Sequence, residues 1–167
     1  MANEEITKRG VLVADPSPHM ASLVGVMLRS LGRKDIREAY DADKAMLELN
    51  RRAFDVLIID DVLDGMDGVA FTKKLRACVD CQNRHVPIIM MSSAPDARRI
   101  AEARDAGVTE FLRKPFAANH LQTRLASIAA NPRGFIETGA YKGPDRRRKV
   151  VNVGEERREP IAETKAS

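Results

Sequence analysis

Phe54-Asp55-Val56-Leu57-Ile58-Ile59-Asp60-Asp61 is the stretch from which the fold can be read. Val56 to Ile59 is an apolar run too short for a helix and without polar alternation, the pattern of a strand buried on both faces. It stops abruptly at two carboxylates. A doubly buried strand belongs in a parallel sheet covered by helices, so the flanking sequence should alternate strands and helices.

Upstream it does. Val11-Leu12-Val13-Ala14 is a second compact apolar run, and Ser17-Pro18 supplies an N-cap and an N1 proline. Met20, Leu23, Val24, Met27, Leu28 and Leu31 follow at helical spacing, with Gly32 as the stop. Ile36 to Tyr40 predicts a short strand, and Asp41 caps a helix with Ala45, Met46 and Leu49 on its apolar side. Downstream, a loop with Gly65 and Gly68 precedes a helix from about Val69 to Cys78. Val86 to Met91 then predicts a strand with Pro87 near its start. Pro95-Asp96 opens a helix ended by Gly107, Glu110 to Arg113 is a short strand, and a last helix runs to Asn131-Pro132. The fold class is therefore α/β, with a doubly wound parallel sheet.

In such a sheet, ligands bind outside the carboxyl ends of the strands. The residues ending the strands are Asp15, Asp60 with Asp61, Ser92 with Ser93, and Lys114. Carboxylates, hydroxyls and one ammonium gathered on one edge are costly to bury unpaired, so they point to a polar site.

Composition narrows the class. The 167 residues hold 28 Lys and Arg against 24 Asp and Glu, a formal net charge of +4. Residues 1–132 carry 19 basic and 18 acidic side chains, and residues 133–167 carry nine and six, so the excess lies in the tail. No apolar run approaches the ~18 residues of a membrane span. The opening MANEEITKRG places charges where a signal peptide needs apolar residues, and two Cys make no disulfide framework; a cytoplasmic protein is expected.

The chain resembles the receiver domain of chemotaxis-type, two-component response regulators. The resemblance covers about residues 10–130 and rests on four segments. These are Val11 to Asp15, Phe54 to Asp60 with Gly65-Met66-Asp67-Gly68, Pro87 to Ala94, and Ala106-Gly107 with Phe111-Leu112-Arg113-Lys114-Pro115-Phe116. It implies a five-stranded, flavodoxin-like sheet of order 2-1-3-4-5. It further implies a lead over 1–9, a receiver over 10–131 and a basic extension over 132–167. Asp60 would be the phosphoacceptor, with Lys114 and Ser92 contacting the phosphoryl oxygens. Mg2+ would be held by Asp15, Asp60 and the backbone carbonyl of Val62. Ser92 and Phe111 would form a switch pair, and Lys114-Pro115 would be cis. The phosphoryl donor would be a histidine kinase or a histidine-containing phosphotransfer protein. Output would pass to a downstream protein through the face of the fourth helix, fifth strand and fifth helix, without turnover of a metabolite. A phosphorylation-independent adaptor or kinase inhibitor, and a phosphate sink, are the alternatives.

One position departs from the family pattern. Receivers usually carry two or three acids after the first strand, whereas Pro16 follows Asp15 here, which should weaken Mg2+ binding. Asp61 and Asp64 are near enough in sequence to compensate, but strand alternation turns Asp61 away from the face of Asp60. Elsewhere, Cys78-x-x-Cys81 with His85 has the spacing of a metal or redox pair but lacks a second pair, so ordinary thiols are expected. His19 reads as exposed surface close to the expected site, with a modest effect on phosphoryl access as the alternative, and Arg98 and Arg99 read as solvated surface on the face that partners of the family would meet. The tail is open to three readings. It is disordered; or Phe135, Ile136 and Tyr141 pin it to a second copy, with Val150 to Val153 as an added edge; or its Arg cluster meets an anion. Interleaved Glu155, Glu156 and Glu159 argue against nucleic acid.

Overall fold

The computed structural model describes residues 9–147. β1 (Val11–Ala14), α1 (Pro18–Ser30), β2 (Ile36–Ala39), α2 (Ala42–Arg51) and β3 (Val56–Asp60) alternate as the patterning predicts. A ribbon of β4 (Val62–Leu63) and β5 (Met66–Asp67) leads into α3 (Gly68–Ala77). Then come β6 (Ile88–Ser92), α4 (Ala97–Ala106), β7 (Glu110–Arg113) and α5 (Ala118–Ala130). The ribbon occupies what reads in sequence as a loop, because two residues per strand are too few to show a period of two.

The main sheet runs β2-β1-β3-β6-β7 with every pair parallel, which is the expected order 2-1-3-4-5 when only its own strands are counted. Alternate strand residues feed two cores. Leu12, Leu57, Ile59 and Met90 pack with Leu49 of α2 and Leu75 of α3; Val13, Ile58 and Met91 pack with Leu28 of α1 and Leu121 of α5. Capping agrees with the sequence: the side chains of Ser17, Asp41 and Asp96 accept hydrogen bonds from Met20, Lys44 and Arg99 amides, and Gly107 ends α4 in the left-handed region.

The described part of the tail is ordered as a hairpin rather than left without structure. β8 (Phe135–Glu137) and β9 (Lys142–Pro144) pair antiparallel and fold back onto the same chain. The cause is a cluster that composition does not reveal. Arg76 of α3 is 1% exposed and donates to the main-chain oxygens of Arg84, Val86 and Gly107. Burial without a carboxylate in those contacts pushes its pKa down to about 10. Gly107 and Gly143 meet back to back: a Cβ on Gly143 would lie 2.7 Å from the Gly107 Cα, and one on Gly107 would lie 2.7 Å from the Lys142 carbonyl oxygen. The Tyr141 hydroxyl donates to the Pro144 oxygen at 2.7 Å, and Arg146 lies over the Tyr141 ring while pairing with Asp105 at 2.9 Å. Phe135 stacks on His85 with ring centroids 3.7 Å apart. Phe135 and Tyr141 do anchor the tail, but on their own receiver body. The edge proposed for Val150 to Val153 lies outside the described residues.

Candidate functional site

Three strand ends and one loop place the site. Asp15 follows β1, and its amide donates to the Ala39 oxygen at 3.0 Å, so the main chain still belongs to the sheet there. Asp60 closes β3. Both extend the strand rows that face α1 and α5, and both are buried, at 1% and 8% exposure. Lys114 reaches them from the end of β7: its Nζ lies 2.9 Å from Asp15 Oδ2 and 2.5 Å from Asp60 Oδ1. The Lys114 amide donates to the Ser92 carbonyl at 2.8 Å, which ties its loop to β6, and the Lys114–Pro115 peptide is cis.

Main-chain donors fix the two carboxylates further. Ser17 donates to Asp15 Oδ1 at 2.8 Å, and Val62 donates to Asp60 Oδ2 at 3.2 Å. Gly68 lets the β3–α3 connection close under them. A Cβ there would sit 2.5 Å from the Asp60 carbonyl oxygen, so any side chain would push the loop off the strand end.

Two buried carboxylates share one ammonium. Burial pushes the Asp60 carboxyl above its usual range and Asp15 adds to this, while Lys114 holds it down. Burial works against the Lys114 ammonium, yet Asp60 and Asp15 together raise its pKa, so it stays charged. The pocket thus carries an uncompensated negative charge beside a fixed cation, an arrangement suited to a cation and to a phosphoryl group.

Ser92 is fully buried at the end of β6, and its hydroxyl donates to Asp61 Oδ2 at 2.7 Å. Alternation explains the pairing. Ser92 extends the Ile88 and Met90 row and Asp61 the Leu57 and Ile59 row, both on the side of α2, α3 and α4. Asp61 is therefore turned away from the face of Asp60, as its position predicts, and toward Ser92, which sequence reasoning did not anticipate. Arg99 of α4, read in sequence as surface, donates to the Asp61 carbonyl oxygen at 2.8 Å and to Asp67 Oδ2 at 2.6 Å. Phe111 is half-buried against the same core.

The comparisons agree with this geometry. The family model for the response regulator receiver domain matches residues 11–126. The chain belongs to that family. It is 33% identical over 118 residues to the chemotaxis protein CheY-3 of Vibrio cholerae, covering 71% of this chain and 89% of that protein. CheY of Pseudomonas aeruginosa is 31% identical, with 71% and 94% covered. Among solved structures, CheY4 of Vibrio cholerae superposes with a TM-score of 0.65 at 27% identity over 71% of this receiver chain and 97% of its own. The receiver domain of the sensor histidine kinase PA1611 of Pseudomonas aeruginosa, solved with a magnesium ion coordinated in its active site cleft, matches at 0.65 and 27%, over 74% and 98%.

The donor set of this receiver suits Mg2+. Asp15 and Asp60 offer hard oxygen donors on one face, and Mg2+ takes one or two carboxylates while keeping several waters. Among the described residues no three His, Cys, Asp or Glu side chains converge on one point. Asp61 does not fill the place left by Pro16, since Ser92 and Arg99 engage it. Pro16→Asp is accordingly expected to tighten Mg2+ binding several-fold, measured by titration calorimetry because the chain has no Trp to report it. An unchanged affinity would mean that the position after Asp15 does not face the metal.

Cys78, Cys81 and His85 lie apart from this edge, whereas His19 and Arg98 lie in the first turns of α1 and α4 beside it without contacting the Asp15, Asp60 and Lys114 cluster. Cys78 caps α3, the buried Cys81 thiol donates to the Leu49 oxygen at 3.6 Å, and His85 stacks on Phe135. His19 is exposed on α1, as is Arg98 on α4. No helix among the described residues is long and apolar enough to cross a membrane.

Proposed function

We propose that this chain is a cytoplasmic response regulator, with a receiver over 10–131 and a tail over 132–167, phosphorylated on Asp60. The observation that carries the reading is the Lys114 ammonium bridging two buried carboxylates at the carboxyl edge of the sheet. An Asp60 oxygen attacks the phosphorus of a phosphohistidine on a histidine kinase or phosphotransfer protein. The new O–P bond forms as the P–N bond breaks, and the imidazole leaves with its electron pair. Lys114 neutralises charge on the phosphoryl oxygens as they pass from donor to acceptor. Asp15, Asp60 and the Val62 carbonyl would hold Mg2+, whose charge offsets that of the carboxylates and the incoming phosphate. Ser92 would donate its hydroxyl to a phosphoryl oxygen, and Phe111 would repack into the space released. The surface of α4, β7 and α5 would then present a second packing to a downstream protein.

Incubation with a small phosphodonor such as acetyl phosphate tests this. Mass spectrometry should show one phosphoryl group gained in the presence of Mg2+ and a large loss of that gain when the metal is chelated. No gain from any donor would favour the adaptor reading. Rapid loss of the phosphoryl group without a change in partner binding would favour a phosphate sink.

A further inference from the structure

Ser92 and Asp60 lie on opposite rows of the sheet edge, and in this state the Ser92 hydroxyl is already committed. It donates to Asp61 Oδ2 at 2.7 Å, while the Ala94 amide contacts its oxygen at 3.4 Å. Asp61 itself is held from two sides. Its amide donates to the Met91 carbonyl at 2.8 Å, and its carbonyl accepts from the Gly68 amide at 2.8 Å. Its carboxylate faces Arg99, whose Nε lies 3.6 Å from Oδ2. Arg99 is anchored in turn by Asp67, the cap of α3, and by Glu102 one turn along α4. The carboxylate therefore has few other positions to adopt. A serine hydroxyl carries one proton and can donate it to one acceptor at a time.

We propose that Asp61, clamped by Arg99, is a positioning residue that holds the Ser92 hydroxyl away from Asp60 in the unphosphorylated protein. The phosphorylated packing then forms only as far as a phosphoryl oxygen outcompetes Asp61 for that proton. This inference rests on the proposed function and adds a threshold to it. Both acceptors are anionic, so the competition is between two charge-assisted hydrogen bonds of similar strength. The same contact links α4 to the site, because Arg99 grips the residue next to the phosphoacceptor. When Ser92 leaves Asp61, the carboxylate keeps only Arg99, and the first turn of α4 is the part free to adjust.

The test uses the full chain with trifluoroberyllate and Mg2+ as the phosphoryl mimic. Asp61→Ala should bind the mimic about tenfold more tightly than wild type, the equivalent of one charge-assisted hydrogen bond released. Asp61→Asn, which keeps the shape and a weaker acceptor, should fall between them and carries the measurement if the alanine variant does not fold. In a Ser92→Ala background the Asp61 substitution should change affinity by less than about twofold, since a positioning residue has nothing left to position. An equal gain in both backgrounds would show that Asp61 acts by charge alone and would overturn the proposal. Three-bond couplings of the Ser92 side chain in the ligand-free protein give an independent readout. One rotamer is expected in wild type and averaging in Asp61→Ala; one unchanged rotamer in both would also overturn the inference. Failure of the wild type to bind the mimic would instead count against Asp60 as a phosphoacceptor, and the couplings would still decide the role of Asp61.

Discussion

Asp60→Asn is expected to abolish phosphoryl uptake while leaving the fold intact. The amide keeps the size of the carboxylate and can still accept from Val62, but its oxygen is neutral and a poor nucleophile toward phosphorus. Stability should not fall. Asp60 is buried beside Asp15 with one ammonium between them, so removing one of two like charges relieves the burial that pushes its carboxyl upward. Thermal melting should therefore show an equal or higher midpoint for the variant, alongside a mass spectrum with no phosphoryl adduct. Asp61→Asn should retain uptake, because Asp61 faces Ser92 and Arg99 on the other row. If Asp60→Asn were labelled as well as wild type, the acceptor would lie elsewhere.

The second large effect concerns stability. Arg76→Met retains the apolar stem but removes every donor to the carbonyls of Arg84, Val86 and Gly107. A buried acceptor left without a partner costs ~1–3 kcal/mol, so the variant should lose about 3–5 kcal/mol of unfolding free energy. That corresponds to a melting point lower by roughly 10 °C for a chain of this size. The loss should be greatest where the hairpin docks. Gly107 is both an acceptor for Arg76 and the surface on which Gly143 rests, so limited proteolysis after Arg146 or Arg147 should accelerate in the variant. A urea midpoint equal to that of wild type would show that water replaces the guanidinium without penalty.

These two sites differ in how far the sequence exposes them. The sheet was legible because Val56 to Ile59 and Ile88 to Met91 are continuous apolar runs, and such runs have few structural interpretations. Asp15, Asp60 and Lys114 were legible because polar residues at strand ends sit where parallel sheets bind ligands. Arg76 was not. It lies in a helix beside Lys73 and Lys74, where a basic residue normally points to water, and only the tertiary arrangement of three carbonyls draws it inward. The hairpin was hidden for a related reason: Gly143 and Pro144 sit beside the Arg cluster of the tail, and their role as a close-fitting contact depends on Gly107, far away in the chain. Asp61 shows a subtler limit. Alternation told which face it occupies, but its partner Ser92 was identified by family pattern with the opposite face, where Asp60 lies.

Asp60 as the nucleophile is best checked by locating the phosphoryl group itself. The wild-type chain would be phosphorylated with acetyl phosphate and Mg2+, reduced with borohydride to trap the acyl phosphate, digested, and sequenced by mass spectrometry. The reduced residue should be Asp60, with Asp61 and Asp64 unmodified. A trapped residue at any other position, or none in a protein that binds Mg2+, would contradict this assignment.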